Sequence, residues 1–261
     1  MSPPADRSAA KAAAQAAAKA AAQAAAQAAA EAAAQPAAQA AGPTTLADQA
    51  HAKLKQLIFD FALMPGDRCS ESELTQRLAI SRTPLRQALQ RLQREGFLQV
   101  VSKTGWRVAP LDFDIFDELY DLRILIECHA ATQLAAGDER PMLAPLADFW
   151  LVAPDQRLGD GAAVGRADES FHSQLVQASG NREMARVHRE ITDRIRIIRR
   201  LDFTKTARVE ATYDEHAGIL RAITRRRGDE AQRLLRAHIE QSKLEVRHIT
   251  LDMLYRARRQ A

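Results

Sequence analysis

Two short helical patterns joined by only about three residues constrain this chain more than any other feature of its sequence. The first opens at Ser70 or Ser72 and runs through Leu74 and Leu78, and Ala79-Ile80 makes the turn. The second opens at Ser81, an N-cap residue type, and continues through Leu85, Leu89 and Leu92 to Glu95-Gly96. Two helices connected so tightly make a helix-turn-helix. An amphipathic helix precedes them, with Leu46, Ala50, Leu54, Leu57, Ile58 and Phe61 on one face and Met64-Pro65-Gly66 as its stop. After them, residues 97–101 and 106–109 read as two short strands around Ser102-Lys103-Thr104-Gly105, a β-hairpin wing. Residues 44–110 are therefore expected to form a winged helix-turn-helix of three helices and a hairpin.

Charge follows the same boundary. Residues 1–43 carry three basic and two acidic side chains, residues 44–110 ten and six, and residues 111–261 twenty-four and twenty-five. Between Arg77 and Arg94 lie five arginines and no acid, the footprint of a surface that meets a polyanion. The base-reading end of such a unit is the N-terminus of its second helix. Ser81-Arg82-Thr83-Pro84-Leu85-Arg86 supplies that end. Arg82 and Arg86 share a face four residues apart, Pro84 sits in the first turn, and Leu85 and Leu89 point inward. Arginine there can grip guanine O6 and N7, and Thr83 can bond a phosphate or base edge.

The two ends of the chain differ. Residues 1–43 are an Ala/Gln-rich tail in which Lys11, Gln15, Lys19, Gln23, Gln27, Glu31, Gln35 and Gln39 recur every fourth residue. That tail is expected to be disordered or a solitary helix, bounded by Gly42-Pro43. Residues 111–261 show helical spacing almost throughout, in segments near 113–136, 141–152, 163–179, 182–202, 206–226 and 229–257. In the first of these, Phe116, Leu119, Leu122, Ile126, Ala130 and Leu134 form the expected inner stripe. This part reads as an all-α bundle, and the whole chain as mainly α. No run has the roughly 18 strongly apolar residues of a membrane span. No apolar signal segment opens the chain, and the two cysteines form no CxxC pair. A cytoplasmic protein with no membrane partner is expected.

Four residues of the bundle combine metal-ligand chemistry with helix spacing. Asp168 and His172 leave the same face of one helix, and His216 and His238 lie on later ones. Three imidazoles and a carboxylate suit a divalent ion, zinc first, with nickel and manganese as alternatives. Spacing alone leaves open that these are ordinary core or surface histidines.

Taken together, Pro65-Gly66-Asp67-Arg68, Ser72-Glu73-Leu74, Ser81 through Leu89, Leu92 and Glu95-Gly96-Phe97 resemble the winged helix of the GntR family of bacterial transcription regulators. Residues 111–261 resemble the FCD ligand domain of its FadR-type branch, in Leu122 through Glu127, Asp168 through His172, Ala178-Ser179-Gly180-Asn181, Glu215-His216 and Gly228-Asp229 through His238. The resemblance implies a homodimeric repressor that binds a palindromic double-stranded operator. In that reading Ser81, Arg82, Thr83 and Arg86 face the DNA, and Lys103, Thr104 and Gly105 form a wing tip entering the minor groove. Asp168, His172, His216 and His238 hold the metal, and a small carboxylate or sugar-acid effector sits on it beside Arg123, with Thr212 and Arg194 as further candidates. Two positions depart from the pattern the resemblance implies: Ala79 stands where glycine is frequent, and Ser72 occupies a position that is a DNA-contacting arginine in the fatty-acid-responsive members. Two other readings of the bundle compete. One is a metal-dependent hydrolase or isomerase with Glu169 or Asp168 as general base; the other is a dimerisation bundle around an inert structural metal.

Overall fold

In the computed structural model the described residues are 45–101, 105–137, 143–202 and 206–248. The alanine-rich tail, Lys103, Thr104 and the last residues of the expected 229–257 helix lie outside them. Among the described residues the order is α1 (Leu46–Phe59), β1 (Arg68–Cys69), α2 (Glu71–Leu78), α3 (Arg82–Arg94), β2 (Leu98–Val101), β3 (Gly105–Val108), α4 (Phe113–Ala136), α5 (Ala144–Trp150), α6 (Gly161–Ala178), α7 (Arg182–Asp202), α8 (Thr206–Thr224) and α9 (Gly228–Arg247). The chain is mainly helical with one small sheet, as expected. It packs into two compact units, one of residues 127–181 and 206–236 and the other of residues 45–126, 182–202 and 237–248.

In the second unit, local chemistry sets the helix ends. The Thr45 and Ser70 side chains each accept from the backbone N–H three residues on, and Asp48 and Glu73 return the bond to the cap N–H. Ala79 ends α2 in the left-handed region at φ 53°, a conformation that favours glycine. Leu54 and Ile58 of α1, Leu74 of α2, and Leu85, Leu89 and Leu92 of α3 are buried together with Leu98, Trp106 and Val108 of the sheet. Leu46, expected on the inner face of α1, is exposed in its first turn.

The wing has a strand that the sequence pattern did not show. The sheet order is β1-β3-β2, with Arg68 and Cys69 of β1 opposite Arg107 and Trp106, and Gln99 of β2 opposite Arg107 on the other side. Two residues are too short for any alternation to register. This strand also gives a packing reason for the glycine at position 105. Expected at the wing tip, it opens β3 at φ +100°, where a Cβ would lie 2.9 Å from the Cys69 carbonyl oxygen. Its role is close backbone approach.

Helix α7 belongs to the same unit, with Ile191, Ile195 and Ile198 buried. Lys55 Nζ of α1 donates to Asp193 of α7 at 2.6 Å and to Glu95 at 3.0 Å, and Glu95 also bonds His51 at 2.8 Å. The Arg196 guanidinium lies 4.9 Å from the Phe59 ring centroid. Burial pushes the Glu95 carboxyl up, but the hydrogen bonds from His51 and Lys55 together outweigh it and hold the group down at about 2. At the other end of the unit Tyr120 Oη and Ser242 Oγ are 3.1 Å apart, and Lys243 donates to Asp121 at 2.7 Å.

The first unit is built on aromatics. Phe149 and Trp150 of α5 pack against Tyr213 of α8 with ring centroids 5.8 and 4.9 Å apart, and Trp150 meets Phe171 of α6 edge to face. Arg157 ties the loop after α5 to α8 through Glu210 at 2.7 Å and Asp214 at 2.5 Å. Leu122 corrects the expected stripe on α4: it is 47% exposed, while Arg123 and Glu127, one turn apart, occupy the inner face at 1% and 0%.

Candidate functional site

A polar group inside an apolar bundle must be held by partners, because burying it without them costs several kcal/mol. Asp168 and His172 on α6, His216 on α8 and His238 on α9 are all buried, and each offers one ligand atom within 4.8 Å of the others. Asp168 Oδ1 lies 3.6 Å from His172 Nε2 and 3.4 Å from His216 Nε2. Ligand atoms about 2.1 Å from a tetrahedral zinc ion lie about 3.4 Å from one another, so these separations fit a shared cation. The donor set of one carboxylate and three imidazoles fits a borderline ion. All four residues named from sequence are brought together.

The supporting groups are ones that sequence reasoning missed. His172 Nδ1 and Glu127 Oε2 are 2.5 Å apart, both buried, so the carboxylate holds the proton on Nδ1 and turns the Nε2 lone pair towards Asp168. The His216 ring is stacked on Phe171 at 3.7 Å with an 8° interplanar angle, and Trp150 meets it edge-on at 4.2 Å. Two aromatic walls thus fix the plane in which His216 presents its nitrogen. The sequence held only a weak signal for Glu127, an Arg and a Glu four apart on one helix, set against an apolar stripe through Leu122 and Ile126 that points elsewhere.

Of the residues expected around an effector, Arg123 is buried on α4 with its guanidinium 5.8 Å from the Tyr120 ring centroid, one turn before Glu127. Thr212 is buried on α8 one turn before His216, and its hydroxyl donates to the Arg208 carbonyl at 2.8 Å. Arg208 itself is buried on the same stripe and pairs with Glu215 at 3.0 Å. Burial raises the Glu215 carboxyl, and the charge of Arg208 opposes the shift. No sequence pattern had singled out Arg208. Arg194 falls elsewhere. It sits next to Ile195, off the inner face that Ile191, Ile195 and Ile198 set, and lines a cavity with Gly96, Phe97 and the 109–116 segment.

Ser81, Arg82, Thr83 and Arg86, the residues expected to face DNA, are all exposed at the start of α3, while Leu85, Ala88, Leu89 and Leu92 anchor its other face. Ser81 is the N-cap yet its side chain makes no capping bond. Pro84 explains this: it occupies the third helical position, where a cap ordinarily finds its N–H donor, and has none to give. The Ser81 hydroxyl and the first N–H groups of α3 are left facing outward, at an end whose dipole favours phosphate. Arg86 Nε donates to Glu71 Oε2 of α2 at 2.8 Å, so one of the two arginines expected to read bases is tied to the preceding helix.

Known proteins carry the same two parts. Residues 46–108 match the family of bacterial regulatory proteins described as gntR, and residues 118–241 match the FCD domain. The Nta operon transcriptional regulator of Aminobacter aminovorans is 35% identical over 179 residues, covering 67% of this chain and 82% of that protein. The HTH-type transcriptional repressor RspR of Escherichia coli is 23% identical over 205 residues, covering 77% of this chain and 89% of its own. Among solved structures, a GntR regulator from Rhodococcus superposes with a TM-score of 0.65 at 22% identity, covering 78% of this chain and 98% of that one. E. coli McbR/YncC superposes at 0.64 with 20% identity over 78% of this chain and 98% of its own, a likeness of fold.

Proposed function

Because the chain belongs to the GntR family of bacterial regulatory proteins and carries an FCD domain, it is a transcriptional regulator and not an enzyme, and we propose that it is a metal-dependent sensor of a small organic acid. In this reading it acts in the cytoplasm as a homodimeric repressor on a palindromic operator. No helix among the described residues is long and apolar enough to cross a membrane. Ser81, Arg82, Thr83 and Arg86 approach the DNA, the first through the phosphate backbone and the arginines through base edges.

The observation that carries the sensor reading is the buried group Asp168, His172, His216 and His238, whose ligand atoms lie within 4.8 Å of one another. A divalent ion there, zinc in the first instance, would supply a fixed positive charge, and a carboxylate would reach it by expanding its coordination beyond the four protein ligands. Glu127 and Phe171 orient the ligands. Arg123 contributes a permanent cation for the acid and Thr212 a polar partner. Arg208, on the Thr212 stripe, joins them as a third candidate. A ligand shifts operator binding only as far as it prefers one arrangement of the two winged helices over the other.

The test is a melting-temperature screen of zinc-loaded protein against hydroxy, keto, dicarboxylic and sugar acids. A ligand at about 100 times its Kd stabilises by roughly 2.7 kcal/mol, which is a shift of several degrees at this size. A hit that disappears on chelation and in Arg123→Ala is the expected result. A flat panel, or a hit indifferent to both, overturns the reading in favour of an inert structural metal.

A further inference from the structure

In the first unit, residues 151–160 run from the end of α5 to the head of α6 as a strap against α8. A single 3₁₀ turn at Pro154–Gln156 interrupts it, and residues 153–156 are exposed. Its far end is anchored, because the Asp160 side chain accepts from the Ala162 and Ala163 N–H groups and so caps α6. At its near end stands Trp150, the last residue of α5, whose ring closes edge-on against His216 with centroids 4.2 Å apart. The strap therefore begins on one of the four converging residues of the buried site.

What fastens the strap is one arginine on the edge of α8. Arg157 donates through Nη1 to Glu210 at 2.7 Å and through Nη2 to Asp214 at 2.5 Å, so its guanidinium forks over two carboxylates one turn apart. The Leu158 N–H donates to Tyr213 Oη at 3.2 Å, and the Arg157 guanidinium lies 5.2 Å from the Tyr213 ring centroid. Tyr213 in turn is buried against Trp150, with centroids 4.9 Å apart. Arg157 is mostly buried, but Glu210 and Asp214 are largely exposed, so water and salt compete for the acids. Asp168 and His216 are fully buried, and a solute reaches them only when part of the bundle opens. Helices are held by continuous backbone ladders and the strap by far fewer bonds, which makes the strap the part that opens most readily.

We propose that residues 150–159 are a gate to the buried site and that Arg157 is its latch. Release of Glu210 and Asp214 frees the strap from α8, loosens the last turn of α5 and withdraws Trp150 from His216. What passes the gate, a divalent ion or the acid that joins it, rests on the metal-sensor reading; the opening itself does not.

The test is labelling of the metal-free full chain with diethyl pyrocarbonate, read histidine by histidine by peptide mass spectrometry, with the buried His188 of α7 as internal control. In Arg157→Ala, His216 should react roughly tenfold faster than in wild type while His188 keeps its rate. Labelling of His216 in wild type should also quicken as salt rises from about 0.05 to 0.5 M, and Arg157→Ala should lose that dependence. Arg157→Glu puts a further acid beside Glu210 and Asp214 and should label fastest, and its combination with Glu210→Arg and Asp214→Arg should restore protection. His216 labelling within about twofold of wild type in both Arg157 single variants overturns the gate. Equal acceleration of His216 and His188 that the exchanged charges fail to reverse overturns it too, because it reports lost packing. Zinc competition on the same proteins separates the two readings: a gate speeds zinc uptake and release together, whereas faster labelling of Arg157→Ala in a chain that binds no zinc removes the metal and upholds the gate.

Discussion

Glu127 is the residue whose replacement most directly tests the construction of the buried site. Its carboxylate lies 2.5 Å from His172 Nδ1 with both side chains buried, so the tautomer and ring angle of this proposed ligand are set by one charge. Glu127→Gln keeps an acceptor of nearly the same shape and removes the charge. A charge-assisted bond is about twice as strong as a neutral one, so the substitution gives up on the order of 1 to 1.5 kcal/mol of support for the Nε2 lone pair. In affinity that is about tenfold, at the low end of the roughly 10- to 100-fold that removing a ligand's outer partner typically costs. Glu127→Ala deletes the acceptor and frees the ring, and should approach the upper end. The assay is competition for zinc against a chromophoric chelator near neutral pH, with melting curves of the metal-free proteins to separate site weakening from unfolding. Both variants should keep the wild-type fold and lose zinc in the order Gln, then Ala. Zinc affinity of Glu127→Ala within about twofold of wild type would refute the role given to Glu127, and with it the orientation assigned to His172.

Other parts of the molecule yield three more expected outcomes. Glu71→Gln frees Arg86 from an exposed ion pair of at most about 1 kcal/mol, so operator affinity measured by fluorescence anisotropy at low salt should rise by up to about fivefold; a fall means that Glu71 positions the arginine for its base. Ala79→Gly removes the cost of about 1 to 2 kcal/mol of holding a side chain in the left-handed region, partly offset by the roughly 0.5 to 1 kcal/mol of extra freedom glycine has when unfolded. The melting temperature should rise by a degree or two, and a decrease shows that the Ala79 methyl makes a contact worth more than the strain. For Glu95, the folded carboxyl is held at about 2, below its ordinary value near 4.3, so its contribution is present above that value and is lost as pH falls towards 2. The stability gap between wild type and Glu95→Gln should close over that window in urea titrations, and a gap constant down to pH near 2 contradicts the assignment.

The parts that were legible in the sequence share a physical reason, which is that each rests on short-range chemistry. Ser70 and Glu73 are a capping box at the spacing the box demands, and the leucines of α3 recur at the period that buries them; α1 by contrast ends at Phe59 with Asp60 as its cap, well before the Pro65-Gly66 expected to stop it. Asp168 and His172 share a face by helix geometry, and their convergence with His216 and His238 follows once α6, α8 and α9 pack. Features that were not legible depend on distant partners. Strand β1 exists because β3 is there to pair with it, and Gly105 is required by the Cys69 carbonyl, thirty-six residues earlier in the chain. Helix α4 is the clearest case. A hydrophobicity stripe through Leu122 and Ile126 is the ordinary reading of its sequence, yet Leu122 is exposed while Arg123 and Glu127 face inward. Two charges at core positions violate the rule that apolar residues go inside, and such a violation persists only where the site offsets the cost of desolvation. Glu127 offsets it through His172. Arg123, as deeply buried one turn earlier, brings a permanent cation to the interior, and a domain that carries such a charge inside is suited to hold an anion there, which is the physical content of proposing it as a sensor.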